Sequence, residues 1–261
     1  MSSVQQSHIF ISDVHLGSTS PTDEEKTVQD LLSLIQYCID HKTALYVLGD
    51  LLDYWMEYPQ KNFVPQFANT VLDAFEEYNR TVQPAVFVTG NHDNWTFGHF
   101  EERGFDVEEE FRIVTIGDQK ILLMHGDGLY NGSPKLERPL LHRLLRNSTF
   151  IYVYQKIFPP KYGIALMRAF SNTSRKRECK NPIPLNNHSQ AILNQPEIDI
   201  IITGHDHVPR METFNGGCYI NLGTFFHDRS ISVYNNDTFN LVRWMASTKE
   251  FVPFSEPKAA E

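Results

Sequence analysis

Cysteine is scarce in this chain. Cys38, Cys179 and Cys218 are the only three among 261 residues, and they are far apart. An odd count without a CxxC pair indicates neither a zinc knuckle nor a disulfide framework. Basic charge is also short: 23 Lys and Arg stand against 32 Asp and Glu, for a net charge of −9. A non-specific nucleic-acid binder is normally basic, so no nucleic-acid partner is expected. No apolar run approaches the roughly 18 residues that a membrane helix needs. Met1 to Gln6 shows no basic stretch followed by an apolar core, so no signal peptide is expected. Internal repeats and low-complexity tracts are missing as well. Together these absences point to a cytoplasmic globular protein, with room only for a peripheral contact with a membrane surface.

What is present is a recurring piece of grammar. In Tyr46-Val47-Leu48-Gly49-Asp50-Leu51-Leu52-Asp53 an apolar strand stops at a glycine and then presents a carboxylate. An apolar run of this length suits a parallel strand covered on both faces. In open α/β sheets, ligands gather at the carboxyl ends of strands. The pattern returns four times. Apolar segments lead into Asp13-Val14-His15, into Gly90-Asn91-His92-Asp93, into His125-Gly126-Asp127 and into Gly204-His205-Asp206-His207.

Periodicity predicts helices over about 23–41 and 65–78, the second with Phe67, Val71, Leu72 and Phe75 as its apolar stripe. A short helix over 95–103 and a hairpin turning at Gly117-Asp118 follow. This alternation predicts an α/β fold with parallel strands and right-handed crossovers. From 134 to about 191 the chain is helical and rich in Arg and Lys, and from 198 only strands are expected. We read one domain over 1–261 with a helical insertion over about 129–190 that caps the sheet. Tyr54-Trp55-Met56-Glu57-Tyr58 reads as an aromatic loop that either lines the site or packs in the core.

The strand ends collect Asp13, His15, Asp50, Asn91, His125, His205 and His207. Oxygen and imidazole ligands in that number suit two divalent ions with one shared ligand, for which Asp50 is our choice. In an extended segment residues i and i+2 point the same way. That would bring Asp13 with His15, and His205 with His207, to one cluster. Gly49, Gly90, Gly126 and Gly204 flank the candidates and relieve backbone crowding. Any one of these motifs is commonplace; their order, each after an apolar strand, is not.

DxH, GDxxD, GNHD, a lone His after a strand and GHxH, spread over residues 8 to about 235, resemble the calcineurin-like metallophosphoesterase superfamily. The resemblance implies a four-layer α/β/β/α sandwich of two mixed sheets. It implies that Asp13, His15, Asp50 and His207 hold one ion, and Asp50, Asn91, His125 and His205 the other. Manganese is the usual metal there, with iron, zinc or nickel as substitutes. It further implies phosphoester hydrolysis, in which cations about 4 Å apart neutralise phosphate oxygens and activate water. His92 would approach the leaving group, with Asp53 or Asp93 orienting it.

Three stretches are similar to a narrower branch, the UDP-2,3-diacylglucosamine hydrolases of lipid A synthesis. Gly49-Asp50-Leu51-Leu52-Asp53-Tyr54-Trp55 resembles its GDLFDxW stretch, and His125-Gly126-Asp127 its HGD motif. Arg168-Ala169-Phe170-Ser171 lies in a helical insertion where that branch keeps an acyl-chain cap. This implies cleavage of a lipid-linked nucleotide pyrophosphate to UMP and a lipid monophosphate. The enzyme would be peripheral on the cytoplasmic face of the inner membrane and need no obligate protein partner. Asn91, His92, His205, Arg168, Ser171 and Arg175 are then the expected substrate contacts. Lys176 and Arg177 add basic charge for phosphate or anionic lipid. Two positions depart from the branch: His92 stands where enterobacterial enzymes carry Arg, and Asp206 where Thr is usual. The alternatives are a metallophosphoesterase for nucleotides or phosphoproteins, and a non-catalytic metal-bound scaffold. The long apolar insertion speaks against the first, and the complete ligand set against the second.

Overall fold

The computed structural model describes residues 6–18, 20–128, 138, 140–175 and 181–254, of which 21 and 170–175 are described by backbone only. β1 (His8–Ile11) leads into α1 (Pro21–His41). The Ser20 hydroxyl accepts from the Asp23 N–H at 3.3 Å to start that helix, and Lys42 in the left-handed conformation closes it. β2 (Ala44–Leu48) is buried along its whole length. α2 (Asn69–Thr81) buries Val71, Leu72, Phe75 and Tyr78. It starts later than expected, because Phe67 lies outside it, 45% exposed and stacked on Tyr54. β3 (Val86–Val88), α3 (His99–Glu102) and β4 (Asp106–Glu108) follow; β4 is too short to show a period in the sequence.

The hairpin of β5 (Phe111–Ile116) and β6 (Gln119–Met124) turns where expected. Next come α4 (Leu140–Leu145), α5 (Ser148–Ile157), α6 (Pro160–Arg175) and α7 (Ile183–Leu193). β7 (Ile200–Thr203), β8 (Arg210–Phe214) and β9 (Gly217–Asn221) precede the short α8 (Phe225–Asp228), which interrupts what reads in sequence as strands only. β10 (Ser230–Asn235), β11 (Thr238–Met245) and β12 (Glu250–Pro253) complete the order.

The strands form two mixed sheets. The seven-stranded sheet has the order β12-β11-β10-β1-β2-β3-β4, parallel from β1 to β4 and antiparallel elsewhere. The five-stranded sheet has the order β5-β6-β7-β9-β8, parallel at its centre and antiparallel at both edges. Phe10, Tyr46, Leu48 and Val88 of the first sheet pack on Leu123, Ile200, Ile202 and Ile220 of the second. Alternation along each strand sends the next residues outward: Ile9, Leu45 and Val47 meet Leu31, Ile35, Leu72 and Phe75 of α1 and α2. α7 covers the outer face of the second sheet, with Leu185, Ile192 and Leu193 against Leu122, Ile201 and Tyr219. This is the four-layer α/β/β/α sandwich. Among the described residues no helix is long and apolar enough to cross a membrane.

α4, α5 and α6 pack elsewhere. Met56, Tyr58 and Trp95 form a cluster with Ile151 and Tyr154. The Trp95 indole donates to the Leu145 carbonyl, the Gln155 amide to the Glu57 carbonyl and the Lys61 ammonium to the Gln155 carbonyl, each at 2.7 Å. The aromatic loop serves both purposes: Tyr54, Trp55 and Met56 line a cleft beside His92, while Trp55 packs in the main core and Met56 and Tyr58 pack against the helical insertion. Residues 183–190 of the expected insertion belong to α7 and pack on the sheet.

Candidate metal centre

β1, β2 and β3 end side by side, and the chain leaving each turns sharply. The Asp13 N–H donates to the Gly49 carbonyl at 3.1 Å and the His15 N–H to the Asp50 carbonyl at 2.9 Å. The DxH and HxH segments are not extended, contrary to expectation. φ is +51° at Asp13, +48° at His15, +52° at Asp50, +74° at His205 and +59° at His207. This left-handed region is costly for residues with a side chain. The convergence therefore comes from strained backbone held by its surroundings, not from the period of a strand. Space explains two of the glycines. A Cβ on Gly90 would lie 2.0 Å from Asp50 Oδ1, and one on Gly204 would lie 2.1 Å from Asp13 Oδ2.

The seven expected ligands come together in two overlapping groups. In one, His207 Nε2 lies 3.1 Å from Asp13 Oδ1 and 3.4 Å from His15 Nε2. His15 Nε2 lies 3.7 Å from Asp50 Oδ2. In the other, His125 Nε2 lies 3.3 Å from Asp50 Oδ2, 3.1 Å from Asn91 Oδ1 and 3.3 Å from His205 Nδ1. Asp50 Oδ2 thus faces both groups. Its Oδ1 accepts from the His92 N–H at 2.9 Å. His92 Nε2 approaches Asp50 Oδ2 at 3.9 Å, so His92 also lies within ligand reach of Asp50 and His15.

Neighbours orient these rings. Nδ1 of His125 meets the Leu48 carbonyl at 2.9 Å and Nδ1 of His92 the Asp53 carbonyl at 2.7 Å. A carbonyl only accepts, so Nδ1 carries the proton and Nε2 is turned to the cluster. His15 Nδ1 is held by the Asp53 carboxylate at 3.1 Å. Asp93 does different work: it accepts from the N–H groups of Gly90 at 2.7 Å and Leu52 at 3.3 Å, and so shapes the GNHD turn. Two residues that the strand-end pattern did not single out hold the cluster from outside. The Ser12 hydroxyl lies 2.5 Å from Asp13 Oδ2, and the Asn221 amide donates to the Gly204 carbonyl at 2.7 Å.

Charge tests whether cations fit. Burial would depress the imidazoles of His15 and His125, but flanking carboxylates outweigh it and raise both to about 10. Burial would raise Asp13 and Asp50, yet the nearby imidazoles hold both below the usual carboxylate range. Burial, then the charge of His125, lowers His205 to about 4; burial, then the charge of Asp50, raises Asp93 to about 7. Buried carboxylates here are compensated only by protons on the rings around them. Imidazole nitrogens and carboxylate oxygens converging within 3.1–3.7 Å are the donor set of divalent ions, which would displace those ring protons and supply the compensation instead.

A cleft adjoins the cluster, and Asn91 and His92 line it together with Trp55, Trp95, Leu145 and Met167. Arg168 does not reach the candidate ligands. Its guanidinium lies 4.5 Å from the centre of the Tyr54 ring and donates to the Gly17 carbonyl at 3.2 Å. Ser171 and Arg175 lie on α6, but their side chains, like Lys176 and Arg177 altogether, fall outside the described residues.

Sequence reasoning missed a second tie between helices and strand ends. Asp127, buried after His125, has Arg146 Nη2 and Arg138 Nε at 3.3 Å, with His142 Nδ1 at 3.7 Å. Arg146 also donates to the carbonyls of Gly90 at 2.9 Å and Glu109 at 2.8 Å. The acid at position 206 is likewise explained: its Oδ2 pairs with Arg210 Nη2 at 2.7 Å, and Arg210 reaches Asn186 Oδ1 of α7 at 2.7 Å. This fastens the His205–His207 loop to the outer helix.

A UDP-2,3-diacylglucosamine hydrolase of Porphyromonas gingivalis is 29% identical over 218 residues, 76% of this chain and 82% of that one. Its counterpart from Vibrio atlanticus is 26% identical over 89% of this chain and 95% of its own. Among solved structures, Yfce, a phosphoesterase from E. coli, is 15% identical and has a TM-score of 0.48 over 95% of this chain and 97% of that one. The profile of the calcineurin-like phosphoesterases matches residues 8–209, which hold every one of the seven converging side chains. The chain belongs to the calcineurin-like phosphoesterase family.

Proposed function

We propose that this phosphoesterase hydrolyses the pyrophosphate of UDP-2,3-diacylglucosamine to UMP and a diacylglucosamine 1-phosphate. The observation that carries this is the cleft. It is lined both by Asn91 and His92 of the cluster and by Leu141, Leu145 and Met167 of α4 and α6. A phosphate at the cluster would have its apolar extension beneath those helices. Relatives that share most of their length with this chain carry that activity in their names.

In this reading Asp13, His15, Asp50 and His207 hold one divalent ion, and Asp50, Asn91, His125 and His205 the other, with manganese as the native metal. Such ions, when bound, neutralise phosphate oxygens and lower the pKa of water toward neutrality. The remaining work is done by the chain. His92, with Nδ1 committed to the Asp53 carbonyl, turns Nε2 to the departing oxygen as hydrogen-bond or proton donor. Asp53 keeps the His15 ring in place. Asp93 sets the turn that aims Asn91 and His92. Arg168 is proposed to meet substrate phosphate at the rim near Gly17, and Ser171 and Arg175 to extend that contact along α6. Leu140, Ile157, Tyr162 and Leu166 on the insertion are exposed, which supports peripheral contact with the cytoplasmic face of the inner membrane.

Burying one methylene contributes about 0.8 kcal/mol, so four buried acyl carbons are worth about two hundredfold in affinity. The test is kcat/KM for UDP-2,3-diacylglucosamine beside UDP-glucosamine and UDP-N-acetylglucosamine, with bis-p-nitrophenyl phosphate as a control for bare phosphodiester activity. We expect a preference of several orders of magnitude for the acylated substrate, with UMP released. Comparable values across the three sugars would leave a phosphoesterase of another substrate class.

A further inference from the structure

The outer face of the second sheet carries a cavity that the metal cluster does not use. Along β6 the side chains alternate: Leu123 faces the other sheet, while Leu122 and Met124 face α7. Between the β5–β6 hairpin and the C-terminal half of α7 lies a cavity of about 200 Å³. Leu122, Met124, Ile192 and Ile198 wall it, and Phe111 and Ile113 stand at its mouth, 45% and 50% exposed. None of its lining residues lines the cleft beside His92.

Of the three polar residues in the lining, Gln195 and Glu197 are exposed and His188 is buried. His188 of α7 is fully buried, lines the cavity, and has no hydrogen-bond partner on either ring nitrogen among the described residues. Burial lowers its pKa, so the ring is neutral, with one N–H donor and one bare nitrogen. A buried polar group left without a partner is costly, and such groups normally have one. A buried water needs two to four polar partners, and beside His188 the described lining offers only the exposed Gln195 and Glu197 against six apolar side chains. An anion is a poor candidate too, because among the described residues no cation lines the cavity and Glu197 stands in its lining. A dry cavity of about 150 Å³ lined by aliphatic and aromatic side chains is enough to take up benzene.

We propose that this cavity binds a compact neutral molecule with an apolar body and one hydroxyl, such as a phenol or a cyclic alcohol. The hydroxyl sits on the His188 imidazole and the hydrocarbon lies against Leu122, Met124, Ile192 and Ile198. The site is separate from the phosphoester chemistry and does not depend on which substrate that chemistry takes.

The test uses the full chain and two probes of one shape, p-cresol and p-xylene, titrated while the methyl resonances of Met124, Ile192 and Ile198 are followed by NMR. We expect both probes to shift these methyls. The ratio of the p-xylene to the p-cresol dissociation constant should fall about fivefold to tenfold in His188→Leu, the worth of one hydrogen bond. Ile113→Trp, at an exposed position, should block the mouth and abolish both shifts while leaving hydrolysis of bis-p-nitrophenyl phosphate unchanged. Wild-type methyls that ignore both probes would overturn the proposal. So would a ratio unchanged by His188→Leu, or a crystal grown with p-cresol in which His188 holds only water.

Discussion

Replacing Asp127 by Asn should loosen α4 from the strand ends before it unfolds the sheets. Asp127 is buried, with two guanidinium nitrogens 3.3 Å from its Oδ2. At that separation one charge pair is worth about 5 kcal/mol at an effective dielectric of about 20. Relief from desolvating the carboxylate offsets part of this, and Arg146 keeps the carbonyls of Gly90 and Glu109. We expect a net loss of about 2 kcal/mol, or a fall of about 4–8 °C in Tm for a chain of this size. An Asn amide adds strain by turning an N–H₂ group toward other donors. The pH dependence has a definite sign. Burial alone would raise the Asp127 carboxyl, but Arg146, His142 and Arg138 hold it well below the usual range. Its contribution is therefore present above the ordinary Asp value of about 3.9 and is lost as pH falls below it. Thermal unfolding from pH 7 downward should show the gap between wild type and variant closing in acid. Hydrogen exchange at pH 7 should speed up first over residues 140–157. An unchanged Tm together with unchanged exchange over that segment would refute the latch.

The metal centre supplies further predictions. Asp50→Ala should lower bound metal well below two ions per chain and abolish hydrolysis, read by metal analysis and turnover; a variant that kept both would not have lost a shared ligand. Gly90→Ala sets a Cβ 2.0 Å from Asp50 Oδ1, so it should cost metal content as Asp50→Ala does, with the fold retained by circular dichroism. His92→Ala should keep its metal and lose about 10²–10⁴-fold in rate. That loss should shrink as the leaving group improves; an equal loss for every leaving group would assign His92 to phosphate positioning instead.

Much of this protein was legible along the chain. The largely apolar β1, β2 and β7 suit strands covered on both faces, and each hands over to Asp or His, so the parallel strands and the cluster's membership followed from local pattern, whereas the two-sheet sandwich was implied by the family resemblance. Pattern gave the wrong reason for the convergence, because it assumes extended backbone. Asp13, His15, Asp50, His205 and His207 have positive φ, with the N–H groups of Asp13 and His15 held by the Gly49 and Asp50 carbonyls and that of His205 by the Asp13 carboxylate, contacts that no period reports. β4 and β12 escaped because Asp106-Val107-Glu108 and Glu250-Phe251-Val252-Pro253 carry charge and proline instead of an apolar run. Asp127, Arg138 and Arg146 looked like scattered charge until folding placed residues 11 and 19 positions apart around one carboxylate. The orphaned His188 belongs to the same class. Its position on α7 is a matter of sequence, but its lack of a partner depends on everything packed around it, and only the assembled layers decide that.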